Sequence, residues 1–234
     1  KRVHPHKDDK VLTDWNGLMI AAFSKGARGL DVPEYSEAAV KAANFILNNM
    51  RMPDGRLLHR HRDGESAITA CLDDYAFLIW GLIELYETLF DVNYLKAALE
   101  LNNDMLSHFW DEKGGFYFTP DDGEELIVRK KEIYDGAIPS GNSVAMFNLI
   151  RLSRITGDPA LENMSSMIGS AFSREVVSSP SSYAQMMVSL DYLKGPSCEV
   201  VIAGHPAAED TRRMLEAVGR PFAPNIIVLF RPTD

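Results

Sequence analysis

Three stretches, 14–29, 73–90 and 141–156, are apolar at almost every position of a helical wheel. In the second, Tyr75, Leu78, Ile79, Leu82, Tyr86 and Leu89 mark one face, while Phe77, Trp80, Ile83 and Leu85 fill most of the remainder. A helix patterned this way is expected to be buried on every side. Each is followed by a stretch with a polar stripe at steps of three and four: Glu37, Lys41, Asn44 and Asn48 within 35–51, then Lys96, Glu100, Asn103 and Ser107 within 94–110. Residues 159–173 repeat the pattern with Glu162, Ser166 and Ser173. These are expected to be amphipathic helices laid over a core.

The alternation keeps a register. Sixteen residues separate Trp15 from Asp31, Tyr75 from Asp91 and Asn142 from Asp158. Each aspartate sits in a short reversal, "LDVPEY", "FDVNYL" or "GDPALE". Three helical hairpins therefore follow one another, and "SSPSS" leads into a further helix at about 181–193. Buried helices alternating with amphipathic ones imply an inner layer wrapped by an outer one, either a right-handed solenoid or an arc of an α/α toroid. The pattern changes at about residue 196. "CEVVIAG" (198–204) and "NIIVLF" (225–230) are expected to be parallel strands flanking a helix at 206–219. Two strands make a poor sheet, so additional strands are expected beside them. The division is 1–195, hairpin repeats of an incomplete ring, and 196–234, a small α/β element. "GGFYFTPDDGEELIVR" (114–129) reads as a β-hairpin turning at Asp121–Gly123.

The 234 residues carry 46% hydrophobic and 24% charged side chains, with a formal charge of −9. That balance opposes a nucleic-acid partner, which needs a basic stripe. It equally disfavours an anionic membrane surface, and no apolar run reaches spanning length. Cys71 and Cys198 have no metal-type spacing and suit a reducing compartment, hence a cytoplasmic protein. The chain starts at Lys1 rather than Met, as an excised piece of a longer protein would.

Topology gathers the candidate chemistry at one end. The short turns lie at one pole of the hairpins. The starts of the buried helices and the long connections 52–72 and 111–140 lie at the other, where sites usually form. The residues collected there are Asp8, Asp9, Lys10, Asp14, Trp15, Asn16, His59, His61, Asp73, Asp74, Tyr75, Asp135, Ser140 and Asn142. By the sixteen-residue spacing Trp15, Tyr75 and Asn142 are equivalent, as are Asp14, Asp74 and Gly141. Asp74, Asp9 and Asp73 are the candidate catalytic acids. Trp15, Asn16, Tyr75, Asp8, Lys10, Ser140, Asn142 and His59 are the candidate binding groups. Carboxylates in such a funnel suit general acid–base work, and Trp and Tyr faces suit a sugar ring. The competing explanation is helix capping, which accounts for Thr13 or Asp14, Asp73 and Ser140 one by one. His4/His6 and His59/His61 could each chelate from one strand face, but nothing supplies a third ligand. No metal and no cofactor is expected.

The stretches "HKDDKVLTDWNGLMIAA", "LDDYAFLIWGLIELYE", "DGAIPSGNSVA" and "CEVVIAG…PNIIVLF" resemble the spermatogenesis-associated, thioredoxin-domain-containing family. The resemblance runs from about residue 2 to 231. It implies a mainly α chain, part of an α/α toroid similar to sugar epimerases and six-hairpin glycosidases, with a C-terminal βαβ element. It also implies that this is the C-terminal part of a protein with an N-terminal thioredoxin-like domain, and that the first toroid hairpins lie outside it. Such a piece would expose apolar edges and could self-associate. A carbohydrate is the implied ligand, bound either by a glycosidase- or epimerase-like enzyme or by a non-catalytic scaffold serving the thioredoxin-like domain. The family carries an aromatic before the acid pair, where this chain has Cys71-Leu72.

Overall fold

A computed structural model describes residues 2–5, 7–124 and 126–233. His6 lies outside them, so the expected His4/His6 pair does too. Three antiparallel helical hairpins follow one another: α1 (Thr13–Leu30) with α2 (Pro33–Asn49), α3 (Leu72–Leu89) with α4 (Val92–Phe109), and α5 (Gly141–Thr156) with α6 (Pro159–Ala171). A short α7 (Ser173–Ser178) and a 3₁₀ turn lead into α8 (Ala184–Lys194), which packs on α5. The inner helices α1, α3 and α5 stand side by side, and α2, α4 and α6 lie outside them. This is the expected alternation. In α3, Phe77, Leu78, Ile79, Leu82 and Ile83 are wholly buried, while Lys96, Glu100, Asn103 and Ser107 of α4 face outward.

α1 departs from the expectation of burial on every side. Trp15, Met19 and Ala22, spaced as one helical face, are exposed, because α1 packs mainly on α2 and α3 and no further helix among the described residues covers this side. Its other face approaches α3 closely. A Cβ on Gly17 would lie 2.5 Å from the Leu78 nitrogen, and one on Gly81 would lie 2.7 Å from the Gly17 oxygen. Only glycine permits that crossing.

The reversals show a different register from the one read in the sequence. The left-handed residue closing each inner helix is Asp31, Phe90 or Gly157, and the outer helix begins two residues later in every hairpin. Asp91 and Asp158 cap the helices that follow, accepting from the Asn93 and Ala160 amides, while Asp31 ends the helix before it. Counted from these ends, Asp14, Asp73 and Ser140 are equivalent, and so are Asn16, Tyr75 and Asn142.

The connection 52–72 forms a hairpin of β2 (Leu58–Arg62) and β3 (Glu65–Thr69), with β1 (Val11–Leu12) antiparallel to β2. The expected hairpin at 114–129 is absent among the described residues. The Arg129 guanidinium donates to the Thr119 and His108 carbonyls and the Lys131 ammonium to that of Gly114, so side chains take the acceptors a ladder would use. Asn142 pins the loop instead, bonding both backbone groups of Phe116 and the Glu132 carbonyl. At the C-terminus β4 (Cys198–Gly204) and β5 (Ile226–Pro232) pair in parallel around α9 (Glu209–Gly219). The additional strands expected there are absent among the described residues. The ribbon is supported by the helices, with Ile227 buried in the core and Phe230 stacked on Phe90.

Five charged groups tie the inner helices together. Glu84 of α3 meets the Arg151 Nη1 of α5 at 2.6 Å, the Lys25 ammonium of α1 at 3.3 Å, and Arg28. Glu87 meets Arg151 Nη2 at 2.9 Å and Arg28 Nη1 at 3.2 Å. Burial alone would raise the Glu84 carboxyl, but Arg151, Arg28 and Lys25 outweigh it and hold it below the ordinary range. Its contribution is therefore present above the usual carboxylate range and lost as pH falls through the depressed value. Removing one partner strands the others in the interior, so Glu84→Gln is expected to cost about 3–5 kcal/mol by urea unfolding at pH 7. A loss below about 1 kcal/mol would show that the network does not hold the helices.

Candidate functional site

The pole formed by the inner-helix starts carries a compact polar cluster around Asp74. Cys71 is the N-cap of α3 and Asp74 is the third residue of the helix, placed to reach back to the turn before it. Its Oδ2 accepts from the Cys71 amide at 2.9 Å and from the Cys71 thiol at 3.3 Å. Its Oδ1 accepts from the Asp14 amide of α1 at 3.1 Å. The Nδ1 of His59, on β2, lies 2.9 and 3.1 Å from the two oxygens. Asp74 is thus fully buried with both oxygens engaged. It joins two helices and a strand, and it orients an imidazole.

That bond favours the charged ring and raises His59 above the ordinary histidine value. Its Nε2 makes no hydrogen bond among the described residues, and the side chain is about a quarter exposed. Asp73, one residue before Asp74, is half-buried against the start of α5. A Cβ on Gly141 would strike its carboxylate, so glycine there admits it. Burial, and then the charges of Asp74 and Asp14, push Asp73 up to about 7. Asp14 is raised by burial and by Asp74 in turn. Trp15 beside it is 59% exposed. One carboxyl with raised proton affinity, one oriented imidazole and one open aromatic face therefore occupy a single pole.

The other sequence candidates are placed elsewhere. Tyr75 is wholly buried and turned away, its hydroxyl bonded to Asp104 and receiving the Leu57 amide at 3.1 Å. Asn142 holds the long loop as described. Ser140 caps α5, accepting from the Ser143 amide at 3.2 Å. Asn16 donates to the Leu12 carbonyl at 2.7 Å. Asp8 pairs with Lys10 at 3.3 Å and Asp9 with Arg62 at 3.0 Å, all near the surface. Asp135 accepts from the amides of Ser140, Gln185 and Met186, joining the starts of α5 and α8. Capping thus explains Ser140, whereas α1 and α3 begin at Leu12 and Cys71 and leave Asp14 and Asp73 outside the N-cap position.

His59 and His61 do not chelate together. His61 bonds Ser66 at 2.9 Å while His59 faces Asp74. Donor atoms of His59, Cys71 and Asp74 do lie within 4.8 Å of one another. A cation there would have to displace the amides from Asp74 and take a proton from Cys71, whose thiol burial and the nearby acids drive upward. The donor set suits a hydrogen-bonded holder better than a cation site. Sequence reasoning named both His59 and Asp74 but not their pairing. The outward alternation of "LHRHR" placed His59 on a ribbon, and no local pattern reveals which helix a ribbon covers.

Fold and site together define a segment of an α/α toroid of the kind found in sugar epimerases and six-hairpin glycosidases. Over 92% of this chain and 58% of the other, the fold matches a GH76 α-mannanase of Bacteroides thetaiotaomicron with a TM-score of 0.66 at 14% identity. A cellobiose 2-epimerase of Bacillus thermoamylovorans matches over 81% and 62% with 0.58 at 16%. A sugar epimerase from a ruminal bacterium gives 0.58 at 17% over 92% and 60%. No family model matches the chain. The particular relationship comes from sequence: the chain is 32% identical along its whole length to spermatogenesis-associated protein 20 of Mus musculus, and also to that of Homo sapiens. It is homologous to those proteins throughout and spans 31% of their length.

Both raised groups make stability fall as pH rises. Asp73 favours its protonated form in the folded chain, so stability declines from about pH 4 to about pH 7. His59 adds a loss as pH climbs past its own raised value. Asp73→Asn is therefore expected to raise the Tm at pH 8 and leave it nearly unchanged at pH 4, read by circular dichroism. An equal effect at both pH values would mean that Asp73 titrates as an ordinary surface acid.

Proposed function

We propose that the chain is a carbohydrate-active domain that moves a proton on a sugar, an epimerase-like activity at the pole built by His59, Asp73 and Asp74. The observation that carries this reading is the His59 imidazole held through Nδ1 by the buried Asp74 carboxylate, with Nε2 making no hydrogen bond among the described residues, at the same helix pole as Asp73, which is raised to about 7. Groups that their surroundings bring to titrate near neutrality, as burial and neighbouring carboxylates bring Asp73, are a usual means of acid–base chemistry there. Asp73, once ionised, removes a proton from the carbon next to the sugar carbonyl. The imidazolium of His59 protonates the carbonyl oxygen as the enediol forms. After the enediol turns its other face to Asp73, Asp73 returns the proton to carbon and His59 takes its own back, which gives the epimer and regenerates both groups. Asp74 keeps the ring in one orientation, and Trp15 offers its face to the sugar. Proton transfer fits this site better than glycoside hydrolysis, because Asp74 is saturated and Asp9 is paired with Arg62.

A second reading has its own support. Asp8, Asp9 and Asp74 are all occupied by structural partners, as in a non-catalytic scaffold that binds a sugar or an adjoining thioredoxin-like domain.

The decisive experiment incubates the chain with mannose, glucose and cellobiose in D₂O and follows exchange at C2 by proton NMR. Exchange with a bell-shaped pH profile, rising near pH 7 and falling as His59 loses its proton, is expected. His59→Ala and Asp73→Asn should each lower the rate about 10²–10⁴-fold, and Trp15→Ala should weaken binding. Saturable binding without exchange in the folded protein would select the scaffold. Silence in both assays would remove the carbohydrate reading.

A further inference from the structure

A cavity lies at the opposite pole, between the short-turn ends of the inner helices and the C-terminal α9–β5 segment. It encloses about 640 Å³. Thirteen residues of α3 separate Asp74 from Glu87, which puts its floor about 20 Å from the His59–Asp74 pair. The floor is the five-group network. Lys25, Arg28 and Arg151 supply three positive charges, and Glu84 and Glu87 supply two negative ones. At the rim, Arg220 is bridged by Asp31 at 3.6 Å and Glu216 at 3.9 Å. Phe90, Phe147, Leu215, Phe222, Ile226 and Val228 form the apolar part of the walls, and Ser36, Thr88 and the exposed Arg212 line them too.

The distribution of charge decides what such a cavity accepts. Glu84 and Glu87 are nearly inaccessible, 2% and 6% exposed; cations hold both Glu84 oxygens and Glu87 Oε2, while Glu87 Oε1 is buried without a hydrogen-bond partner among the described residues. Lys25 is the most open of the five, 46% exposed, with a single carboxylate contact at 3.3 Å. The surplus positive charge is therefore presented by the group that a ligand can reach. A cation would meet a floor with one more positive than negative charge, and a neutral apolar molecule would strip water from the half-exposed Lys25 ammonium and give it nothing beyond its Glu84 contact and the Trp80 ring. Phe222, 94% exposed at the mouth, is an uncovered aromatic wall that a bound molecule would shield.

We propose that this cleft is a second binding site, for a small organic monoanion with an aromatic or alicyclic body. Its anionic group pairs with Lys25 and the adjoining Arg28, and its body lies between Phe222, Leu215 and the β5 side chains. The site is independent of the sugar chemistry at the other pole, because its groups come from the opposite ends of the same helices. Its floor also holds the inner helices together, so an occupant would stabilise the three-helix layer by binding only the folded state.

The probe is 8-anilinonaphthalene-1-sulfonate, an aromatic monoanion, with the uncharged N-phenyl-1-naphthylamine as its control, both followed by fluorescence with the 234-residue chain. The sulfonate is expected to bind at one site and at least tenfold more tightly than the neutral amine. Lys25→Gln, at an exposed position, should weaken the sulfonate about tenfold and leave the amine unchanged. Leu215→Trp, which fills the cleft from α9, should abolish both, and Phe222→Ala should weaken both without touching the core. Each variant is first shown to unfold cooperatively at a Tm close to that of the parent, which excludes dye binding to partly folded chains. Equal affinity for the two probes overturns the anion assignment. Sulfonate binding that survives both Leu215→Trp and Phe222→Ala overturns the cleft, as does absence of binding.

Discussion

Two carboxylates inside an apolar helix constrain everything else in this structure. Glu84 and Glu87 sit on α3, one turn apart, among side chains that are otherwise almost wholly hydrophobic. Charge in that position persists only if cations are brought to it, and α3 has none of its own within reach. Arg28 and Lys25 come from α1 on one flank and Arg151 from α5 on the other. Hydrophobic packing alone tolerates a range of helix rotations, whereas guanidinium groups that each bridge two carboxylates, as Arg28 and Arg151 bridge Glu84 and Glu87, accept few. The network therefore sets how the three inner helices are turned about their axes. The glycine crossing at Gly17 and Gly81 sets how closely the first two approach.

That rotation has consequences at the other pole. With α1 and α3 locked, the Asp14 amide falls on Asp74, and with α5 locked, Gly141 lies against Asp73. Adjacent acids at one helix start then acquire different characters. Asp74 points into the structure and is stabilised by amide donors and His59. Asp73 faces the crowded junction of three helix starts, where burial and two neighbouring carboxylates favour its protonated form. The same helix thus ends in a rigid polar holder and a titrating acid, and the His59 strand drapes over it because Leu57 and Leu58 bond the chain on either side of the hairpin, at Ala70 and Met50.

The two poles of the hairpins differ in kind. One is made of long connections and carries groups oriented by hydrogen bonds. The other is made of two-residue reversals, is capped by the C-terminal ribbon, and encloses a cleft with a charged floor and partly apolar walls. Rigid inner helices spanning both poles make the ends mechanically dependent while their chemistry stays separate.

Periodicity alone determined the hairpins, their order and their inner and outer faces, because burial of an apolar stripe is a local property that the 3.6-residue repeat records. It determined as well that most of the polar candidates fall near the helix starts, since the long connections lie there. Equivalence between hairpins was legible only to within one residue. Asp31 ends a helix where Asp91 and Asp158 begin one, a difference in backbone conformation that identical residue types conceal. The bond between His59 and Asp74, the inward turn of Tyr75 and the open face of α1 at Trp15 were decided by tertiary structure. Each depends on which element lies across from the residue. The Glu84–Arg151 contact spans 67 positions. No short-range pattern carries a contact of that separation, and it is the rotation of packed helices that selects it.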